Sequence, residues 1–337
     1  MRKVGFIVLC LLCAVNGWAQ PLLTTRWSQE YPYNMMCPAD SIEGYKHSYA
    51  GCPSIAMGQI LNYLRTTQGT RFDDNDDYCT GNYFGRIFDI DDDWETCLFP
   101  SFPQLNALLD SVDSTFRRGE ELCDSLVAAI VFTCGVACQQ VYSASSSYGS
   151  GTFYVDQAFD AYQRFGFADC QLFREPDSAM YATLISNLQA GYPAHLAVEN
   201  PAGTSGHNVV VDGYRESDGK FHVNFGWGGY LDNWYKIPDP NGFSYGWTKI
   251  EGLIVNLIPA TPPVGIVAAA PRTAHLSVHP NPATDVLHLK GLACKTADSK
   301  PSHTAGYLRY WKSICFTVAP CGKHPLKCHK YYPDGQK

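Results

Sequence analysis

Apolar side chains recur at helical spacing in five segments of the chain. In the first segment they follow the i, i+3, i+4, i+7 rule, which places them on one face of a helix; these residues are Met57, Ile60, Leu61 and Leu64. The predicted helices span residues 53–64, 102–110, 120–134, 155–165 and 178–190.

The later part of the chain carries apolar runs and alternations of strand length, bounded by glycine, proline and asparagine. The predicted strands span residues 194–199, 207–214, 220–226, 233–237 and 252–258. Helices come first and strands later, which is typical of the α+β class rather than of alternating βαβ units. We therefore expect one α+β domain over residues 20–259, with a helical first part and an antiparallel β second part.

The first nineteen residues have the three parts of a secretory signal. Arg2 and Lys3 precede a twelve-residue apolar run, which is followed by the small residues Gly17 and Ala19. We expect cleavage after Ala19. The apolar run is too short to span a membrane. The sequence thus predicts an exported protein, secreted or periplasmic, with no membrane span.

The character of the chain changes after the predicted domain. Residues 260–275 are rich in proline and alanine and are expected to form a linker. The following stretch, "LSVHPNPATDVLHLKG", alternates apolar positions around a Pro-Asn-Pro turn. From residue 293 onward the chain holds eight Lys or Arg, two Asp and four Cys, with no helix or strand period.

Charge excludes some classes of partner. The net charge of −7 gives no general attraction to phosphate, so nucleic acid is not an expected partner. An acidic stretch over residues 73–95 is a candidate calcium-binding segment, because closely spaced carboxylates suit a hard cation. It lacks the central glycine and terminal glutamate of an EF-hand loop, so a solvated insertion is favoured and no metal is expected.

Cys52 is the main candidate for chemistry. It stands directly before Pro53 at the start of a predicted helix, where free N–H groups and the helix dipole favour a thiolate. Gly51 keeps the approach to the sulfur free of a side chain. The alternative is a small buried thiol, one among 14 cysteines, whose pairing the sequence does not give.

Thiol catalysis also needs an imidazole and a group that orients it. His207 opens an apolar strand beside a glycine, and Asn224 in the return strand is expected to accept the His207 N–H. His195 and His222 are alternative bases or hydrogen-bonded core residues. Trp227, between glycines after Asn224, is either a buried turn residue or a shield for the imidazole.

The order of five blocks closely resembles the streptopain family of secreted cysteine peptidases. The blocks are "RWSQEYPYNMMCP", "GCPSIAMGQILNYL", "CGVACQQVYSASSSYGSGTF", "GHNVVVDGY" and "HVNFGWGGYLDNWYKI", and they cover about residues 26–258. The resemblance implies a papain-like fold and endopeptidase cleavage of protein or peptide substrates through a thioester, with no metal or organic cofactor.

The resemblance also assigns roles to single positions. Cys52 stands at the nucleophile and His207 at the general base. Gln29 matches the glutamine expected to complete the oxyanion hole with the Cys52 backbone N–H. Asn224 and Trp227 match an active-site asparagine and a tryptophan of the family's loop.

Several features depart from the family. Phe225 replaces the first tryptophan of that loop, and the interval from Ala19 to Trp27 leaves no room for the usual inhibitory propeptide, so a separate inhibitor is one expected partner. A catalytically silent papain-like binding module is therefore the alternative function. Residues 276–337 resemble the start of a C-terminal sorting domain that ends in a truncated or aberrant basic tail, which makes display on the outer surface a further alternative.

Overall fold

The computed structural model describes residues 20–238, 243 and 245–260, and two further strands at 277–279 and 288–290. The chain forms two compact units. Residues 20–260 belong to the first unit, and the two later strands belong to the second. The predicted signal segment 1–19, most of the predicted linker and the basic tail lie outside the described residues.

The first unit contains the five predicted helices, and the bounds of two of them differ from the prediction by more than one residue. They are α1 (Cys52–Leu64), α2 (Phe102–Arg117), α3 (Asp124–Ala137), α4 (Val155–Arg164) and α5 (Ser178–Gln189). Helix α2 runs seven residues past its predicted end because Val112 and Phe116 extend its buried face. Helix α3 begins four residues late, because its N-cap residue Cys123 has an extended backbone with a φ of −77° and a ψ of 164°.

The helical part of the unit also contains four short strands and one 3-10 turn. Strand β1 (Ala39–Asp40) pairs with β2 (Lys46–His47), and a 3-10 turn (Ser41–Glu43) lies between them. Strand β3 (Tyr78–Cys79) pairs with β4 (Asp89–Ile90) inside the acidic stretch. Carboxylates of this stretch serve the fold locally: Asp76 pairs with Arg164, and Asp91 accepts the Phe102 N–H at the start of α2.

The second part of the unit is a six-stranded antiparallel sheet. Its strands are β5 (Gln171–Phe173), β6 (Ala194–Glu199), β7 (Gly206–Arg215), β8 (Lys220–Asn224), β9 (Asn233–Tyr235) and β10 (Lys249–Val255), in the order β5-β10-β6-β7-β8-β9. The strand predicted over 252–258 is shifted, because Lys249 and Ile250 already pair with β6 and Asn256 adopts a left-handed φ of 58° that ends the strand. The α+β, papain-like architecture predicted from the sequence is confirmed.

Helix α1 is the centre of the unit rather than a surface helix with one apolar face. It packs against α3 on one side and against β7 on the other, so eleven of its residues are buried. Gly58 permits the close approach of α3: a Cβ there would lie 3.1 Å from Trp27 and 3.3 Å from Val131. Burial on all sides fixes the helix axis, and with it the position of Cys52.

The second unit contains the strands β11 (Ser277–His279) and β12 (His288–Lys290), which pair antiparallel. The predicted Pro-Asn-Pro turn between them in the sequence lies outside the described residues. In the described part of the chain, no helix is both long enough and apolar enough to cross a membrane.

Candidate active site

The loop before α1 holds Cys52 in a tightly packed position. The helix begins at Cys52, so Pro53 is its second residue, and Gly51 caps it with a φ of 85° and ψ of 138°. A Cβ on Gly51 would lie 2.6 Å from the Gln140 Oε1 atom. Backbone conformation and space therefore both require glycine at this position.

Gln140 connects the two sides of this loop. Its Nε2 donates to the Ala50 carbonyl at 2.8 Å, and its Oε1 accepts the Ser54 hydroxyl at 2.7 Å. The Gln140 side chain is buried, and Gly135 of α3 makes room for it, because a Cβ there would lie 2.9 Å from Nε2. One amide thus fixes the backbone on either side of Cys52.

The Cys52 sulfur is half-buried and faces the first residues of β7. The Asn208 Nδ2 atom lies 3.7 Å from Sγ and donates to it. Burial raises the pKa of the Cys52 thiol above its ordinary value, while the hydrogen bonds from Asn208 act in the opposite direction. In the conformation described, the resting cysteine is therefore a neutral thiol.

His207, next to Asn208, lies in a cluster of aromatic rings. Its ring centroid is 4.4 Å from that of Trp227, 5.1 Å from Trp247 and 6.0 Å from Phe225. Its Nε2 atom lies 2.8 Å from the Phe225 carbonyl oxygen. Because a carbonyl only accepts, Nε2 carries the proton and Nδ1 keeps a free lone pair. Burial lowers the pKa of His207 to about 4, so the ring is neutral near pH 7.

Strand geometry explains why Asn208, rather than His207, contacts the sulfur. Successive side chains of a strand point to opposite faces of the sheet. Asn208 pairs with Ala197, which belongs to the core around α1, whereas His207 pairs with Val198, which belongs to the core on the other face. Among the described residues, no hydrogen bond joins His207 to Cys52.

Asn224 does not contact the imidazole in this structure. Its Nδ2 donates to the Thr25 carbonyl at 3.0 Å, and its Oδ1 accepts from Gln59 and from the Gly226 N–H, each at 3.0 Å. The predicted hydrogen bond from His207 is made instead to the carbonyl of Phe225, the next residue. Asn224 thus ties the end of β8 to α1 and fixes the turn that presents this carbonyl.

The other two predicted site residues lie close to these groups. The Gln29 carbonyl accepts the Ala50 N–H at 2.9 Å, which places Gln29 beside the loop that carries Cys52. Trp227 is half-buried and covers the His207 ring. Trp227 is therefore a wall of the site in contact with the imidazole.

The two alternative bases are both occupied elsewhere. His222 Nδ1 lies 2.6 Å from the Asp212 carboxylate, and Asp212 is four residues along β7 from Asn208. His195 is completely buried and hydrogen-bonds Asn208 through Nε2 at 2.7 Å. His195 therefore contacts the site through Asn208.

Three residues of the site were missed by the sequence analysis: Asn208, Gln140 and Trp247. Asn208 follows His207 directly, so the alternation of the predicted strand was a signal for it. Trp247 lies beyond the predicted β9, and its indole donates to the Ser205 hydroxyl at 3.1 Å. Nothing in the sequence pattern marks Gln140, because its role depends on the packing of α3 against the loop before α1.

Thiols other than Cys52 are present in the same unit. Cys37, Cys134 and Cys138 are buried free thiols, and Cys123 is an exposed one. Its hydrogen bond with Ser125 lowers the Cys123 pKa, so this surface thiol also competes for alkylating reagents. Over the described ranges, no group of three or more His, Cys, Asp or Glu side chains is arranged to hold a metal ion.

A cysteine at the first turn of a buried helix, facing a histidine-bearing strand of an antiparallel sheet, defines a papain-like cysteine peptidase fold. The model of the peptidase C10 family matches residues 27–235. The chain therefore belongs to the peptidase C10 family, the streptopain family of cysteine peptidases, as the sequence blocks predicted.

Comparison with individual proteins agrees with this assignment. The chain is 25% identical over 251 residues to the thiol protease/hemagglutinin PrtT of Porphyromonas gingivalis, an alignment that covers 70% of this chain and 26% of that protein. The chain thus spans about a quarter of the length of this relative.

Two solved structures show the same fold. Active interpain A cysteine protease of Prevotella intermedia superposes with a TM-score of 0.53 at 23% identity, over 71% of this chain and 94% of that one. A prointerpain A fragment from the same organism gives a TM-score of 0.51 at 22% identity, over 72% and 73% of the two chains.

Proposed function

We propose that this protein is a secreted cysteine endopeptidase that cleaves proteins or peptides through a thioester on Cys52. Family membership supports a cysteine peptidase, and the position of Cys52 at the start of α1 supports its role as nucleophile. The signal-like segment 1–19 supports export. The observation that carries the proposal is the contact between the Cys52 sulfur and Asn208, the residue next to His207.

In the proposed reaction, His207 transfers the proton. The free Nδ1 lone pair takes the thiol proton as sulfur attacks the peptide carbonyl, and the resulting imidazolium gives it to the leaving amine. Water then attacks the thioester, with His207 again as base, to release the acid and restore the thiol. The bond from Nε2 to the Phe225 carbonyl leaves Nδ1 as the nitrogen that takes and gives the proton in both steps.

The proposed oxyanion site lies at the start of α1. The Cys52 N–H is among the unpaired donors of the first helical turn, and the helix dipole favours negative charge there. Gln29 lies beside the same loop, and we propose that its side-chain amide supplies the second donor. Asn224 and Trp227 complete the proposed machinery by fixing the Phe225 carbonyl and by shielding the imidazole.

The test uses full-length protein, a quenched peptide library and a mechanism-based epoxide probe. We expect Cys52→Ala to lower peptide cleavage at least ~10³-fold, because no other group forms the acyl-enzyme. Cys123→Ala is the matched control: it removes an exposed thiol of lowered pKa and should leave cleavage and probe labelling of Cys52 unchanged. Cleavage that survives Cys52→Ala refutes the proposal.

The second candidate function is a catalytically silent papain-like binding module. The observation that favours it is the placement of His207 in the aromatic cluster, with Asn208 on the sulfur. A silent module should bind peptides without cleaving them and should leave Cys52 unlabelled by the epoxide probe. Covalent labelling of Cys52 together with product formation rejects this candidate.

A further inference from the structure

A buried chain of hydrogen bonds ends on the Cys52 sulfur. The Tyr162 hydroxyl of α4 lies 3.2 Å from His195 Nδ1, and His195 Nε2 of β6 lies 2.7 Å from Asn208 Oδ1. Asn208 Nδ2 of β7 then lies 3.7 Å from Sγ. Tyr162 and His195 are both completely shielded from solvent.

The chemistry of the three side chains determines which atom donates and which accepts in each hydrogen bond. The Asn208 Oδ1 atom only accepts, so His195 Nε2 must carry the proton and Nδ1 must be bare. The Tyr162 hydroxyl therefore donates to Nδ1, and the Asn208 amide presents its N–H to the sulfur. In the reverse arrangement, the phenol would only accept and its own proton would lie buried without an acceptor.

The electrostatics of the chain favour one state of the cysteine. Burial lowers the pKa of His195 to about 4, so it remains a neutral ring that donates through one nitrogen. All three donors point toward Cys52, and a thiolate is a much stronger acceptor than a thiol. A hydrogen-bonded chain with this polarity stabilises negative charge on the sulfur without placing a second charge beside it.

We propose that Asn208 is a further catalytic residue, whose side-chain amide stabilises the Cys52 thiolate, and that His195 and Tyr162 are positioning residues that hold this amide. The inference rests on the proposed function of Cys52 as nucleophile. No atom is transferred along the chain: the thiol proton still goes to His207, and Asn208 contributes a hydrogen bond to the sulfur that remains.

Other titratable groups near the sulfur belong to different elements. Glu251 of β10 opposes the thiolate electrostatically, and the Cys138 thiol at the end of α3 and the Tyr83 hydroxyl also interact with it. His207 lies beside Asn208 on β7. A test of Asn208 must therefore change only the amide and leave these four groups in place.

The experiment measures alkylation of Cys52 by iodoacetamide against pH in the full-length protein, with each labelled cysteine mapped by mass spectrometry. We expect Asn208→Ala to slow Cys52 alkylation about tenfold near pH 7 and to move its midpoint to higher pH, with the plateau rate at high pH unchanged. Asn187→Ala is the matched control: it removes a buried asparagine that bonds Asn256 on the far side of the sheet, and its profile should match the parent protein.

Tyr162→Phe supplies a second variant that keeps the shape of the core. It removes the donor to His195 Nδ1, so we expect a smaller loss of about two- to threefold, with the midpoint shifted in the same direction. Identical profiles for Asn208→Ala and the parent protein overturn the inference, as does a uniform loss at every pH. Should Asn208→Ala fail to fold, the Tyr162→Phe profile decides by the same criteria.

The readout also separates this inference from the proposed function. Alkylation reports the ionisation of Cys52 whether or not peptides are cleaved. A shifted profile in a protein that cleaves no peptide supports the role of Asn208 toward the thiolate and rejects the peptidase. An unshifted profile in an active peptidase keeps the function and rejects Asn208.

Discussion

At the scale of single residues, the site depends on how Gly51 and Gln140 shape the loop before Cys52. The amide of Gln140 occupies the space that a side chain at position 51 would need. Its two hydrogen bonds hold the carbonyl of Ala50 and the hydroxyl of Ser54 on either side of the cysteine. Small changes here should alter catalysis as well as stability, because position 51 is next to the proposed nucleophile Cys52 in the chain.

Gly51→Ala tests this arrangement. The new Cβ would meet Gln140 Oε1 at 2.6 Å in a backbone with a φ of 85°, so we expect a fall in kcat of tenfold or more and a loss of about 2 kcal/mol in unfolding free energy. Peptide cleavage and urea denaturation measure the two effects.

Gly69→Ala is the control for backbone strain alone. Gly69 has a similar φ of 72°, but a Cβ there has nothing within 4 Å. This variant should lose about 1 kcal/mol and keep full activity. Equal kcat values for the two variants would show that contact with Gln140 does not matter.

The residue scale also shows what sequence can and cannot predict about the site. Cys52 and His207 were predicted as site residues because each stands at the end of a predicted element beside a glycine. The role of Asn208 depends on which face of β7 meets α1, a fact set by pairing with Ala197 and by the packing of the sheet. The sequence pattern shows that side chains of β7 alternate between two faces of the sheet, but it does not show which face meets α1.

At the scale of elements, helix α1 joins the two parts of the fold through polar as well as apolar contacts. Gln59 is completely buried in its middle and bonds Asn224 twice, at 3.0 and 3.3 Å. It also accepts the Thr25 hydroxyl at 2.7 Å. A buried helix therefore carries one amide that links it to both the sheet and the N-terminal segment.

Gln59→Leu should weaken this junction. The substitution removes both hydrogen bonds between Gln59 and the Asn224 amide and the acceptor of the Thr25 hydroxyl, so we expect a loss of about 2 kcal/mol in unfolding free energy. Gln189→Leu on the exposed end of α5 is the control and should change stability by less than about 0.5 kcal/mol. Urea denaturation compares the two, and equal stabilities would contradict the role given to Gln59.

For helices and strands too, the sequence pattern predicts which elements form, whereas tertiary packing determines where they begin and end. All five helices were predicted because each segment is rich in apolar residues over a helical length. The end of α2 depends on the burial of Val112 and Phe116, and the start of α3 on the extended backbone of Cys123. Strand β10 ends at Val255, before Asn256, whose left-handed backbone no local propensity required.

At the scale of the whole molecule, two buried neutral histidines make stability depend on pH. Burial lowers the pKa of His195 and of His207 to about 4, against 6.5 in an unfolded chain. As the pH falls below about 6.5, both histidines become protonated in the unfolded chain but stay neutral in the folded protein. The stabilisation is therefore complete above pH 6.5 and is lost as the pH falls toward 4.

His195→Gln isolates one of these contributions, because glutamine can still donate to Asn208 but does not titrate. We expect the parent protein to lose more unfolding free energy than the variant between pH 7 and pH 4.5, by an amount on the order of 3 kcal/mol. Urea denaturation at several pH values measures the difference. Parallel pH profiles for the two proteins would show that His195 is not held neutral by the fold.

The fit of Gln140 between Gly51 and Gly135 has a consequence for how this chain can evolve. At Gly51 a Cβ would meet the Gln140 amide, which supports the backbone at both ends of the loop, whereas at Gly135 a Cβ would meet both the Tyr142 hydroxyl and Gln140 Nε2. A larger residue at position 51 is compatible only with a smaller residue at position 140, which would leave the loop unsupported, and a larger residue at position 135 would require a change at position 142 as well. Positions 51 and 140 should therefore covary among related proteins, and single changes at Gly135 should be rare.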